Sequence, residues 1–311
     1  MKLHINLTLT LESLFMKTTL MKFTVLVFAA LSVLAFCSVA ADAQGIRIHY
    51  GFERKNDVKA TKNKACMDMR TDYDGSTAAF YSEKAFLRDS LKQFAFDKNG
   101  NALDNEAYSK LVDLHGGLKE VSLIDFKNNA IVLGYKPSFI MIRGEGKLEM
   151  PKWSLTEETD ELNGYKTKKA VGEYYGRKWT IWYTEEIPYN VGPWLLWGAP
   201  GLIVKAEDEE KIFSFYMMYV EELSTKSRYD FINYSYDPTS SYQRQKDRKY
   251  RYDLKDAEKM YTRMKNDRKY SYQVEGVISS QAFDKSGRKL TDVEIDAAYK
   301  YIPLISESYW K

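Results

Sequence analysis

The chain alternates between two periodicities, and the period of two dominates. Ile46 to Tyr50, "IRIHY", switches apolar and polar at every residue, as a half-buried strand does. Lys64 to Ser82 reads as two strands around the turn pair Asp74-Gly75. "AIVLGY" and "FIMIR" flank Pro137. In "RKWTIWYTEE", Trp179, Ile181 and Tyr183 fall on one face, and Lys178, Thr180, Trp182 and Thr184 on the other. "LIVKA" and "KIFSFYMMYV" flank Glu207–Glu210, an acidic hairpin turn. Helical spacing is rarer. A polar amphipathic stretch runs from Glu83 to about Phe94. Asp104 is placed to cap a helix that ends at Gly116-Gly117. Leu254, Ala257, Tyr261 and Met264 form a helical stripe behind the cap Asp253, and "TDVE" at 291–294 opens a last helix before Pro303. The pattern predicts an α+β protein: one large, strongly curved antiparallel sheet with a few helices packed on it.

One segment fits neither period. "IPYNVGPWLLWGAPGLIVKAED", Ile187 to Asp208, holds Pro188, Pro193 and Pro200, Gly192, Gly198 and Gly201, and Trp194 and Trp197. Each proline fixes φ and removes a donor, so no regular strand runs through it. Its two tryptophans and two leucines need a dry place. Two readings stand: a plug that folds back to cap a sheet edge or the end of a half-barrel, or a rim that binds a lipid, a peptide or a partner protein. The candidate ligand- or partner-binding residues are Trp194, Leu195, Trp197, Pro200 and Trp182.

Composition adds compartment. Net charge is +3 over 311 residues, too balanced for nucleic acid as a global partner. Phe23 to Ala41 is uncharged behind Lys17 and Lys22, and Ala41-Asp42-Ala43 offers a cleavage site, so residues 1–43 read as a signal peptide and 44–311 as one mature domain. Met16 and Met21 are alternative starts, and an uncleaved anchor is the competing reading of the uncharged run. Cys37 in "LAFC" suggests a lipoprotein signal, although Phe36 is bulky where a small residue is wanted. Cleavage leaves Cys66 alone, hence no internal disulfide. No later segment is long and apolar enough to span a membrane, so an exported protein whose mature form does not span a membrane is expected.

The unusual segment also carries a resemblance. "GPWLLWGAPGLIVKAED" resembles the signature of the GLPGLI family, also called the Porph_ging family; Gly198, Pro200, Gly201, Leu202 and Ile203 match its six-residue phrase, and Ala199 replaces the first leucine. "GRKWTIWYTEEIP" (Gly176–Pro188), "NGYKTKKA" (Asn163–Ala170) and "STAAFYSE" (Ser76–Glu83) are similar to further family elements, so the resemblance covers roughly Ile46 to Val220. Thr167 stands where many members have cysteine. The resemblance implies an exported protein of Gram-negative bacteria, in the periplasm or associated with the outer membrane, with outer-membrane import machinery or an envelope protein as the candidate partner, and supplies no catalytic residue.

Candidate chemistry elsewhere is thin. His115 in "HGGL" lacks the G-x-S-x-G elbow of an esterase. Cys66, Met67 and Met69 offer soft metal ligands, but alternation sends Cys66 to the face opposite the methionines. Glu185-Glu186 and Glu207–Glu210 are adjacent acids that diverge on a strand, better suited to solvated turns than to acid/base pairs. The echo "AFDKNGNAL" and "AFDKSGRKL" (95–103 and 282–290) has the wrong spacing for a calcium loop and reads as a turn leading to a helix. Arg244 to Lys269 carries eleven Lys/Arg against five acids, with Tyr250, Tyr252 and Tyr261 interleaved and Tyr270 following: a solvated surface, or one for anionic lipid head groups. No cofactor and no metal is expected. The expected function is a non-catalytic envelope protein that binds a ligand or partner. The alternatives are a lipid or lipoprotein carrier of half-barrel type and a hydrolase with an unrecognised acidic site.

Overall fold

A computed structural model describes residues 45–55, 64–84, 86–87, 120–135, 142–223, 251–275, 288–289 and 303–310. All belong to one unit, Gly45–Lys311. Residues 1–43, the helical stretches expected near 104–116 and 291–301, His115 and nearly all of both "AFDK" repeats lie outside the described residues.

Twelve strands form a single sheet: β1 (Ile46–Lys55), β2 (Lys64–Tyr73), β3 (Thr77–Ser82), β4 (Glu120–Asp125), β5 (Ala130–Tyr135), β6 (Ile142–Lys147), β7 (Ser154–Leu162), β8 (Tyr165–Tyr174), β9 (Arg177–Thr184), β10 (Leu202–Asp208), β11 (Phe213–Glu222) and β12 (Arg251–Asp253). Their order is β12-β6-β5-β4-β3-β2-β1-β11-β10-β9-β8-β7. Every pairing is antiparallel except β12 against β6, so the sheet is mixed where a purely antiparallel one was expected. Two helices are described, α1 (Leu254–Asn266) and α2 (Arg268–Glu275), so the α+β expectation is met only loosely: the described residues are mainly sheet. Two tight hairpins join β7 to β8 and β8 to β9. Asn163-Gly164 and Tyr175-Gly176 both have positive φ at both positions, the geometry whose twist matches paired strands.

Register assigns the faces. Ile48, Tyr50 and Phe52 on β1 share a face with Met67 and Met69 on β2 and with Met217 and Phe215 on β11. Phe80, Ile131, Leu133, Trp179 and Ile181 join them in one buried cluster. This inner face is the core. A smaller cluster, Ala79, Tyr81, Val121, Leu123 and Val132, lies on the opposite side of β3–β5.

The sheet must curl. The ring of Trp194 lies 6.0 Å from that of Trp179 on β9, while the Trp194 carbonyl accepts a hydrogen bond from Ser122 Oγ on β4 at 3.2 Å. In a flat sheet β9 and β4 stand six strand spacings apart, about 29 Å. One tryptophan with its two neighbours cannot bridge that distance, so β9 and β4 approach across a concave inner face.

Helix α1 closes one end of this concavity. Asp253 caps it by accepting from Asp256 N–H at 2.9 Å. Its stripe of Leu254, Ala257, Tyr261 and Met264 is buried, and Tyr261 stacks on Tyr135 of β5 at 4.6 Å. The helix comes this close because β6 offers glycine on its inner face. A Cβ on Gly144 would meet Ala257 Cβ at 2.8 Å, and one on Gly146 would meet Leu254 at 3.3 Å. Gly144→Val should therefore push α1 off β6 and destabilise the chain by about 1–3 kcal/mol, read as a lower denaturant midpoint; an unchanged midpoint would mean that α1 does not dock there.

Candidate functional site

The proline-rich segment runs from the end of β9 to the start of β10 and lies over the inner face. It is built as a small closed lariat. Gly198 N–H donates to Asn190 O at 2.9 Å, Val191 and Trp197 form an isolated bridge, and Leu196 N–H donates to Pro193 O at 3.0 Å. Trp194 at the tip has φ +55°, a left-handed conformation that a bulky residue adopts only when its surroundings fix it. They do fix it. Thr71 Oγ1 of β2 donates to Gly192 O at 3.1 Å, and Ser122 of β4 holds the next carbonyl but one. Ile203 N–H closes the base on Val191 O at 3.0 Å.

Burial separates the sequence candidates. Trp194 and Leu195 are buried, with Leu196 beside them, under Tyr175 and Trp179. Trp197 is half-buried: its ring meets Phe126 edge-on at 5.2 Å, its Nε1 donates to Glu149 O, and its carbonyl accepts from Trp153 Nε1 at 2.7 Å. Pro200 is exposed. Trp182 does not join them. It pairs with Lys169 and Lys205 on the outer face, whereas Trp194 packs with Trp179 on the inner one. The segment is thus a plug, laid across the middle of the sheet and not at its edge.

The final glycine of the family-like phrase has a steric cause. A Cβ on Gly201 would fall 2.0 Å from Thr184 O, where β9 and the incoming β10 touch. Ala199 beside it is buried.

Buried charges that sequence reading missed hold the rest of the inner face. Arg177, at the start of β9, donates Nε to Leu304 O at 2.9 Å and Nη2 to Pro303 O at 2.7 Å, and pairs through Nη1 with Asp208 at 3.1 Å. It straps residues 303–305 over the concavity, and Leu304 and Ile305 are buried beneath. Asp208 is therefore no solvated turn residue: its Oδ1 accepts from Ile212 and Phe213 N–H at 2.8 and 2.9 Å. Its neighbour Glu209 does pair at the surface, with Lys178, and Glu185 pairs with Lys168. Glu258 of α1 and Glu120 of β4 are buried beside a small cavity of about 10 Å³, room for one water molecule. His49, on the outer face, stacks on Tyr219 at 4.0 Å and contacts Glu221; burial holds its pKa below the usual 6.5.

Among the described residues no group of His, Cys, Asp or Glu is arranged to hold a metal, and no helix is long and apolar enough to cross a membrane. The outer face of β8–β11 is open. Register places Tyr216, Lys205, Trp182 and Lys169 in one row across four strands, with exposed Met218, Tyr219 and Val171 nearby.

No family model and no curated protein matches the chain. Among solved structures, PNGF-II in space groups C2 and P21 aligns at 16% and 18% identity, with TM-scores of 0.43 and 0.39, over 69% and 61% of this chain. The alignment spans only 32% and 30% of those chains. A Vibrio parahaemolyticus domain, provisionally described as an outer membrane lipoprotein-sorting protein, aligns at 7% identity and a TM-score of 0.28, over 61% of this chain and 90% of its own. At these scores none of the three bears on fold or function.

If the segment is a plug, its buried tip matters more than its exposed proline. Trp194→Ala should cost about 3–5 kcal/mol and Gly201→Ala at least about 2 kcal/mol. Pro200→Ala should stay within about 1 kcal/mol. Chemical denaturation checks the order; a neutral Trp194→Ala would refute the plug.

Proposed function

We propose that the chain is an exported envelope protein of the GLPGLI type that binds a partner without catalysis, through the outer face of its sheet. One observation carries this reading: the concave face, where a half-barrel carrier would hold an acyl chain, is filled by the protein's own Trp194, Leu195, Leu196, Leu304 and Ile305. The cavity lined by Trp194, Leu304 and Ile305 has about 10 Å³, against the several hundred of a typical ligand pocket. Contact with a partner then falls to exposed apolar side chains on the other face. Tyr216 and Tyr219 are 40% and 53% exposed, and half-buried Trp182 stands between Lys205 and Lys169 in the same row. Large exposed aromatics grouped on one face are a signature of protein contact. The partner class suggested by the resemblance is an envelope protein associated with outer-membrane import. The buried acids Glu120 and Glu258 are walled off from solvent, which speaks against a hydrolase at that place.

Native mass spectrometry of residues 44–311, purified gently from the exporting compartment, should give the mass of the chain alone. A retained acyl-containing mass would overturn the reading in favour of carriage. Trp182→Ala with Tyr216→Ala should abolish capture of an envelope partner and leave the thermal midpoint almost unchanged; capture at wild-type level would remove the outer face from the account.

A further inference from the structure

Glu258 interrupts an otherwise apolar stripe. It lies between Ala257 and Tyr261 on the buried face of α1 and is 4% exposed. Its Oε2 accepts the Tyr135 hydroxyl of β5, and its Oε1 has no partner. Across the same cavity Glu120 of β4 is 7% exposed; its Oε1 lies 3.5 Å from Arg54 Nη1 of β1, and its Oε2 has no partner either. The walls include the apolar side chains of Phe80, Leu133, Trp194, Leu304 and Ile305. Of the cations nearby, Arg54 pairs with Glu120 alone of the two acids, and Arg177 is engaged by Asp208, Glu210 and two carbonyls. Two buried carboxylates cannot both ionise in such a site without a second counter-charge.

We propose that Glu120 and Glu258 form a single proton-binding site, occupied at neutral pH with the proton on Glu258, and that losing this proton loosens the docking of α1 on the concave face. The site is assembled from two elements far apart in sequence, so the proton couples helix to sheet. Burial pushes the Glu258 carboxyl up to about 8, and the Glu120 charge adds to this, while the Tyr135 hydrogen bond and the charges of Arg54 and Arg177 act in the opposite direction. Tyr135 stays neutral throughout, because burial raises its phenol well above the usual 10. Tyr261, stacked on Tyr135, is the neighbour from the helix itself.

The direction with pH follows. An exposed glutamate ionises near 4.5, so between that value and about 8 the docked helix binds one more proton than the undocked one. Docking is strongest at low pH, weakens through this window and levels off above it. The opening equilibrium of α1 should rise by about tenfold per pH unit within the window. This inference is independent of whether the outer face binds a partner.

Hydrogen exchange of the α1 amides, corrected for intrinsic rates and measured from acid to alkaline pH on the full mature chain, reads the opening. Wild type should show the rise and the plateau; Glu258→Gln should remove the slope. Infrared spectroscopy at neutral pH should show a protonated carboxyl that is absent from Glu258→Gln. Equal slopes in the two proteins, or no carboxyl band lost, would overturn the proposal. Should Glu258→Gln fail to fold, Glu120→Gln serves in its place: removing the neighbouring charge must bring the plateau to lower pH, and an unmoved plateau contradicts the shared site.

Discussion

Among the described residues, the long apolar inner face of the twelve-stranded sheet exceeds what two helices cover, and the crossing of Trp194 covers much of the rest. The residue touches Trp179 on one limb of the sheet with its ring and Ser122 on the other with its carbonyl. Those two contacts are compatible only with a curled sheet. The curl in turn brings β3–β5 close enough to receive Leu304, Ile305 and α1. Concavity, plug and helix docking are thus one solution to the burial of a single face, and a change at the tip of the lariat reaches all three.

Polar groups fix the parts that apolar packing leaves free to slide. Thr71 and Ser122 are inner-face residues spent on loop carbonyls, and Arg177 is spent on the carbonyls of 303 and 304. Each satisfies backbone acceptors in segments that have no strand partner. On the outer side Arg47 grips Asp72 through two bonds of 2.7 and 2.8 Å, and Tyr81 donates to the same carboxylate at 3.0 Å. The inner face thus combines side chains holding backbone with the buried Arg177–Asp208 pair, and the outer face carries a bidentate ion pair within the sheet. Among the buried polar atoms left without a partner, the oxygens of Glu120 and Glu258 lie where the plug, the strap and the helix meet.

Much of the sheet was legible. Trp179, Ile181 and Tyr183 alternate cleanly because one face is dry and the other wet, and the Asp74-Gly75 turn and the stripe of α1 carry local signals. β7 was not legible: "SLTEETDEL" is an exposed edge strand, and its acids suit an edge that must not pair further. Glu258 was within reach, since it sits four residues after Leu254 and three before Tyr261 and so belongs to the buried stripe by helical spacing alone. Arg177 was not within reach, because its partners Pro303 and Leu304 are more than a hundred residues away and nothing local announces them. The proline- and glycine-rich segment announced a buried, irregular path. Which face it would cover depended on pairing partners that only the assembled sheet supplies, and for the same reason Trp182 was grouped with a tryptophan on the other side of it.

The central claim is that the lariat is as much core as the strands beneath it. Amide hydrogen exchange at Leu196, Gly198 and Ile203 tests it most directly, since their N–H groups close the lariat on Pro193, Asn190 and Val191. These amides should exchange only through global unfolding, at the free energy shown by the amides of β1 and β10. Exchange by local opening, several kcal/mol below that of the strands, would show that the segment is a lid over a cavity and would contradict the account.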